Sequence, residues 1–344
     1  MTLQPPLTTR QIHLVTEPDG LPGPEHLAVV ETPLPAPREG QVVVRNRHFL
    51  VFPGLRTLIG GQAEAVPLPP VRLGDALFGP AVGDVVAVGP DSRLRPGDTV
   101  THLLGWREHA LVNETDCLPL GDVLPDPVAF LSSGAAAYAA LTRLAAVRPG
   151  DTVLVTGAAG AVGSLAGQVA RLLGATRVVG TTRSARKADR LTAELGYDAV
   201  IVPGTAPLAE QLADAVPEGI DVLLDTVGGE QLTAAVGAAR RGARFALVGA
   251  LSGQLSPERG RDGSTSPAEI DTFRIITLGL SLRGFSSADL GDAAEEWTKR
   301  FGEWLRSGDI VFPTARITGI DRAPQALQEL FEGRHLGTVV VDLP

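Results

Sequence analysis

Three glycines in close succession are the first residues in this chain whose spacing implies chemistry. Gly157, Gly160 and Gly163 lie inside VLVTGAAGAVGSLAGQVARLLGA, Val153–Ala175. At this spacing a backbone can turn sharply, approach a pyrophosphate closely and pack a helix on a sheet. Glycine-rich turns also serve as plain loops, but here an apolar strand pattern precedes the turn and a helical pattern follows it. A helix opening at Gly163 would aim its unpaired N–H groups and the positive end of its dipole at a pyrophosphate. About 20 residues further on, an NAD site places an acid to hold both ribose hydroxyls. That position carries no acid. Arg183, Ser184, Arg186 and Lys187 cluster there instead. A plain basic start to a surface helix is the alternative, yet cations at a helix N-terminus oppose its dipole. A 2′-phosphate held by charge-assisted bonds accounts better for the cluster, so the expected cofactor is NADP(H) rather than NAD(H).

Metal chemistry has little to draw on. The single cysteine, Cys117, excludes an intrachain disulfide and any cysteine-rich zinc site. The six histidines, His13, His26, His48, His102, His109 and His335, show no metal-ligand spacing. A net charge of −9 argues against a nucleic-acid partner. No apolar run approaches the ~20 residues that span a bilayer, and the N-terminus lacks a signal-peptide layout. A reducing cytoplasm is the expected compartment. The only lysines are Lys187 and Lys299.

Two kinds of element must position these groups. Up to about Val123 the chain is rich in Pro, Gly and Val, with short alternating runs such as QVVVRN, DVVAVG and DTVTHLL; these predict an antiparallel β domain. From about Leu124, strand patterns (DTVLVT, TRVVGTT, DAVIV, IDVLLDT, ARFALVG, LSLRGF) alternate with helical ones, including Ser184–Leu195 and Glu230–Arg240. That alternation predicts a doubly wound parallel sheet. The last stretch, with DIVFPTARI, a helix over Ala323–Glu332 and GTVVVDL, is assigned back to the first domain. The expected division is therefore 1–123 with 308–344, and 124–307. The polar stretch Gly253–Pro267 reads as a functional lid or a disordered loop.

GAAGAVGS, GTTRSARKADRL, DTVGG (Asp225–Gly229) and LVGALSG (Leu247–Gly253) together resemble the medium-chain dehydrogenase/reductase superfamily. The similarity is greatest to its zinc-independent prostaglandin reductase and 2-alkenal (double-bond) reductase branch, with quinone oxidoreductases next. It covers nearly the whole chain, including LSSGAAAYAAL (Leu131–Leu141) and GRHLGTVVV (Gly333–Val341), and is thinner in the first domain. The resemblance implies an α/β fold: a Rossmann lobe with a chaperonin-10-like (GroES-like) β lobe and an active site between them. It also implies a homodimer joined through the edge strand LSLRGF. By the same resemblance Ser133 faces the nicotinamide, Gly160, Ala161 and Val162 carry the pyrophosphate, and Arg183 with Lys187 holds the 2′-phosphate. Thr226, Gly249, Ala250, Leu251, Phe285, Ser286 and Ser287 line the rest of the cofactor, with His335 near it.

Zinc-dependent relatives carry a Gly-His-Glu ligand pair where this chain reads Gly79-Pro80-Ala81. Without a metal to polarise an alcohol, the expected reaction is hydride addition to an acceptor activated by conjugation, the 1,4-reduction of an α,β-unsaturated carbonyl. The double-bond reductases tend to show Asp-Pro-Tyr-Met-Arg where this chain has Phe52-Pro53-Gly54-Leu55-Arg56, and a second family tyrosine is replaced by Ala288. Tyr138 reads as packing at the domain junction and Tyr197 as surface near the adenine. The remaining proton-donor candidates are His335, His48, Arg56 and the cofactor's own ribose hydroxyls. The run His48–Arg56 reads as an apolar pocket lining, suited to an enone, an enoyl thioester or a quinone. Arg259 and Arg261 read as charges of a solvated loop, with contact to the phosphopantetheine of a thioester as the alternative. Quinone reduction, enoyl-thioester reduction and an NADPH-binding sensor without turnover stay open as alternatives.

Overall fold

The computed structural model describes residues 8–59, 68–256, 265–286 and 289–344. The first part of the chain carries β1 (Thr8–Leu14), β2 (Leu27–Pro33), β3 (Gln41–Val51), α1 (Leu55–Ile59), β4 (Ala81–Val88), β5 (Thr99–His102), β6 (His109–Asn113) and β7 (Leu118–Pro119). There follow α2 (Gly134–Ala139), β8 (Thr152–Val155), α3 (Gly163–Leu172), β9 (Arg177–Thr181), α4 (Ala185–Leu195), β10 (Ala199–Ile201) and α5 (Leu208–Ala215). Then come β11 (Ile220–Asp225), α6 (Gly229–Gly237), β12 (Ala239–Leu247), α7 (Leu251–Gln254), α8 (Thr272–Leu278), β13 (Ser281–Gly284) and α9 (Ala293–Ser307). The end is β14 (Thr314–Thr318), α10 (Ala323–Phe331) and β15 (Thr338–Asp342).

The six middle strands form one sheet in the order β10-β9-β8-β11-β12-β13, every pairing parallel. This is the Rossmann order, and the strand sequence reverses between β8 and β11. All four residues of β8 are buried, as expected of a strand covered by helices on both faces. Ser184 caps α4 by accepting a bond from the Lys187 N–H, and Gly196 ends the helix at φ 69°. The second large sheet runs β14-β15-β3-β4-β5-β7, with β6 also paired to β3. It is antiparallel except for the β14–β15 pair. The last two strands thus join the sheet of the first lobe, beside β3.

Several sequence expectations are corrected. The helix expected to run to Arg240 stops at Gly237, because Ala239 pairs with Ile220 and draws the backbone into β12. Of DIVFPTARI only Thr314–Ile317 is strand, continued by Thr318; it begins after Pro313, which has no N–H for a ladder. Gly253 and Gln254 complete α7 rather than opening a loop, and 265–267 pack back on that helix through a Ser252–Ser266 hydroxyl pair (2.6 Å). Arg259, Arg261, Ser287 and Ala288 lie outside the described residues. Tyr197 is not surface: it is buried, and its hydroxyl donates to the Gly163 carbonyl (2.7 Å). The ring fits because Gly167 has no side chain; a Cβ there would come within 2.3 Å of it. Tyr138 packs against Trp297 and Trp304 of α9, with its hydroxyl on Glu296 (3.1 Å).

Candidate functional site

A cleft of about 720 Å³ lies between the lobes. Its base is the reversal point of the parallel sheet, the usual ligand position in such sheets. There the buried Asp225 carboxylate accepts bonds from the Thr156 hydroxyl and from the N–H groups of Val227 (3.0 Å) and Gly228 (3.0 Å). Thr226 in turn donates its hydroxyl to the Thr156 carbonyl (2.8 Å). The ends of β8 and β11 are thereby locked, and the loops that leave them are aimed into the cleft.

The glycine turn sits on this base. Gly157 adopts φ 62°, and Gly163 lies so close to the turn that a Cβ would stand 2.5 Å from the Gly157 carbonyl oxygen. Gly160 differs: a Cβ there would have one neighbour, the Gly157 carbonyl oxygen at 3.3 Å, and otherwise open space. The Ala161 N–H is turned to the Gly337 carbonyl in the bridge between Gly160 and Gly337, whereas the Val162 N–H finds no acceptor among the described residues. Open space over Gly160 and the free Val162 N–H at the start of α3 make an anion cradle.

A second cationic corner lies at the start of α4. Lys187 is 7% exposed, and its ammonium donates to the carbonyls of Gly333 and His335, across from the Rossmann lobe. Arg183 reaches the Phe331 carbonyl (3.4 Å). Burial, with Arg183 and Arg186 nearby, pushes the Lys187 ammonium down to about 8. An ammonium has three donors; two are spent on these carbonyls, and Lys187 lines the cleft. The turn and this corner together fit a dinucleotide that carries an extra phosphate.

The structure brings together Ser133, Gly157, Gly160, Ala161, Val162, Gly163, Arg183, Ser184, Lys187, Thr226, Gly249, Leu251 and His335 around the one cleft. Ala250, Phe285 and Ser286 do not line it. Ala250 is the residue before α7, its carbonyl taken by Gly253 and Gln254, and Phe285 packs against the Rossmann core. Ser286 is exposed and bonds Asp289 (2.6 Å). Of the run His48–Arg56, only Leu50–Gly54 lines the cleft. His48 is turned to Asp342 (2.8 Å), which also takes a bidentate bond from Arg316. The His335 ring pairs with Glu329 (3.0 Å), and its carbonyl holds Lys187, so it stands at the phosphate corner. Arg56 is wholly buried and grips backbone carbonyls of the other lobe.

Sequence reasoning missed Gln231, Ser252, Gln254 and Gly337 in the lining. Gly337 was legible as a glycine before a strand: its φ is 82°, and it bridges to Gly160. Gln231 had no signal, because it reaches the cleft by accepting a bond from Thr181 (2.6 Å), a hydroxyl 50 residues away that also receives the Gly157 N–H. Among the described residues no group of three or more His, Cys, Asp or Glu side chains is placed to hold a metal. Cys117 packs beside the β3–β6 core, and burial pushes its thiol up to about 11.

Two family models match the chain: one described as the N-terminal domain of oxidoreductase over residues 10–120, the other as zinc-binding dehydrogenase over residues 161–306. A putative NADP-dependent oxidoreductase, YfmJ of Bacillus subtilis, is 32% identical over 96% of this chain and 97% of its own. The NADPH-dependent curcumin reductase of Escherichia coli is 30% identical over 95% of each chain. The crystal structure of CurA from Vibrio vulnificus in complex with NADPH superposes with a TM-score of 0.84 and 28% identity, over 97% of this chain and 99% of that one. Fold and cleft define a two-lobed oxidoreductase, with a GroES-like lobe set against a Rossmann lobe. The chain belongs to the medium-chain dehydrogenase/reductase superfamily.

Proposed function

We propose that this NADP(H)-dependent oxidoreductase reduces the carbon–carbon double bond of an α,β-unsaturated carbonyl without a metal. The observation that carries the reading is the continuity of one cleft: a phosphate-ready corner at Arg183 and Lys187 runs into walls of Leu50, Phe52, Pro53, Leu251 and Leu255. Such walls suit an apolar conjugated acceptor. One relative is named for reducing curcumin, whose double bonds are conjugated to carbonyls.

Bound in the cleft, NADPH supplies the hydride for the β-carbon. The chain's own part is positional. Gly160, Ala161 and Val162 would carry the pyrophosphate, Lys187 and Arg183 would hold the 2′-phosphate, and Ser133 would face the nicotinamide. The apolar walls orient the acceptor and exclude water, which supplies most of what a protein adds to cofactor chemistry. Neither tyrosine reaches the substrate, since one holds Glu296 and the other Gly163. The α-carbon therefore takes its proton from a group other than these tyrosines. Zinc plays no part in this scheme, which needs only the conjugation of the acceptor.

The test is NADPH oxidation with three acceptor classes. Loss of an enone's conjugated absorbance supports the reading. Turnover of quinones alone makes the protein a quinone reductase, and of enoyl thioesters alone a thioester reductase. Background rates with all three leave a nucleotide-binding sensor. We further propose that the lobes divide as 1–123 with 308–344, and 124–307. Two copies would pair through the β13 edge. That strand borders solvent, and α8 just before it exposes Phe273 and Ile276, both more than 70% accessible. Sedimentation should give twice 35.8 kDa, and a monomer would refute the pairing. No helix among the described residues is long and apolar enough to cross a membrane; residence in the cytoplasm is part of the same proposal.

A further inference from the structure

Arg56 is fully buried in a helix whose neighbours Leu55 and Leu58 belong to the apolar core of the first lobe. Its guanidinium leaves that core and crosses to the Rossmann lobe. There it donates to the carbonyls of Gly253 (3.4 Å), Gln254 and Ser256 (3.0 Å). These belong to the end of α7 and the residues just after it, where a helix leaves carbonyls without intrahelical partners. Burying a guanidinium is costly unless its donors are well used, and a planar fork serves several carbonyls where an ammonium serves fewer.

The other end of the same segment is tied to the base of the cleft. Leu251 N–H donates to the Thr226 carbonyl (3.1 Å) and Ser252 N–H to the Val227 carbonyl (2.9 Å), in the loop that Asp225 organises. Residues 251–256 are thus suspended between the sheet reversal point and Arg56, and Leu255 packs on the first-lobe core. All but Gly253 line the cleft. We propose that Arg56 is a positioning residue: by gripping 253–256 from the opposite lobe, it sets the wall against which the acceptor lies over the cofactor. The proposal rests on the reductase reading for its catalytic consequence, though not for the grip itself.

The test compares the full-length wild type with Arg56→Ala, Arg56→Lys and Leu255→Ala, each checked for folding by thermal melting. For Arg56→Ala, kcat should fall about 100-fold, the order of loss that a displacement of about 1 Å produces. KM and the NADPH dissociation constant should move much less, and the pH profile should keep its shape. Arg56→Lys should recover part of the loss, because one or two carbonyls regain a donor. Hydrogen exchange at the amides of 251–256 should quicken at least about tenfold in Arg56→Ala while the strands stay protected. A folded Arg56→Ala with kcat within about twofold of wild type overturns the proposal, as does a displaced pH profile, which would make Arg56 a proton donor. Should Arg56→Ala fail to fold, Arg56→Lys and Leu255→Ala carry the same test, with reduced kcat at unchanged NADPH affinity as the expected result. A wild type inert toward every acceptor defeats the reductase reading alone; exchange at 251–256 then decides on Arg56, and unchanged exchange overturns it.

Discussion

Replacing Lys187 by methionine separates the phosphate corner from everything else in the cleft. Methionine keeps the apolar stem that packs at a site only 7% exposed and removes the ammonium. A hydrogen bond to a charged group contributes about 1.5–3 kcal/mol. NADPH should therefore bind Lys187→Met about 10- to 150-fold more weakly, while NADH, which has no phosphate to lose, should bind within about threefold of wild type. The pH dependence gives an independent check. In the free protein the ammonium loses its proton near pH 8. A dianionic phosphate beside it favours the charged form and holds the proton to higher pH. Affinity for NADPH is then level just below pH 8 and falls as pH rises through it, by up to about tenfold per unit. NADH binding stays level, and in Lys187→Met the NADPH slope disappears. Fluorescence titration of both cofactors between pH 7 and 9.5 reads all four curves. Equal losses for the two cofactors in the variant, or a level NADPH curve in the wild type, would refute the assignment of Lys187 to the 2′-phosphate.

The glycine turn yields a paired prediction. Gly160→Ala should melt within a few degrees of wild type yet bind NADPH at least about tenfold more weakly, because its methyl enters the open space of the cradle. Gly163→Ala should instead lose several kcal/mol of stability (about 2–4), since its methyl meets backbone atoms of the turn that cannot yield; a normal melt would sink that argument. Tyr197→Phe leaves the Gly163 carbonyl without its buried donor and should cost about 1–2 kcal/mol in urea unfolding. His102 is buried and neutral, with one ring nitrogen on Asn46 (2.9 Å) and the other receiving the Leu104 N–H (3.0 Å). Burial, with Arg107 beside it, holds its pKa down to about 4 against an ordinary 6.5. Between those values the unfolded chain takes up a proton that the native one refuses, so stability should fall as pH drops from 6.5 toward 4, by up to about 3 kcal/mol. A His102→Gln variant should lose that portion of the acid sensitivity; an identical pH profile would contradict it.

The sequence by itself determined the parts of this protein whose physics is local. A strand, a glycine turn and a helix lie within 23 residues, so Gly157, Gly160 and Gly163 could be read as a cradle without knowing where the chain goes next. The acid-free stretch from Arg183 to Lys187 marks the phosphate corner for the same reason, because charge against a helix dipole is a property of one turn. The alternation of strands and helices dictated the parallel sheet, since strands buried on both faces must be apolar throughout. What only the tertiary structure decided was which side chains face the cleft and which are consumed elsewhere. His48 and Arg56 looked equally free in the sequence, yet one is taken by Asp342 across a strand pair and the other by carbonyls 197 to 200 residues away. Tyr197 reads as a surface residue until Gly167 and Gly180, on two other elements, are seen to open a space for its ring. Such placements depend on contacts between distant segments, which composition and periodicity do not encode.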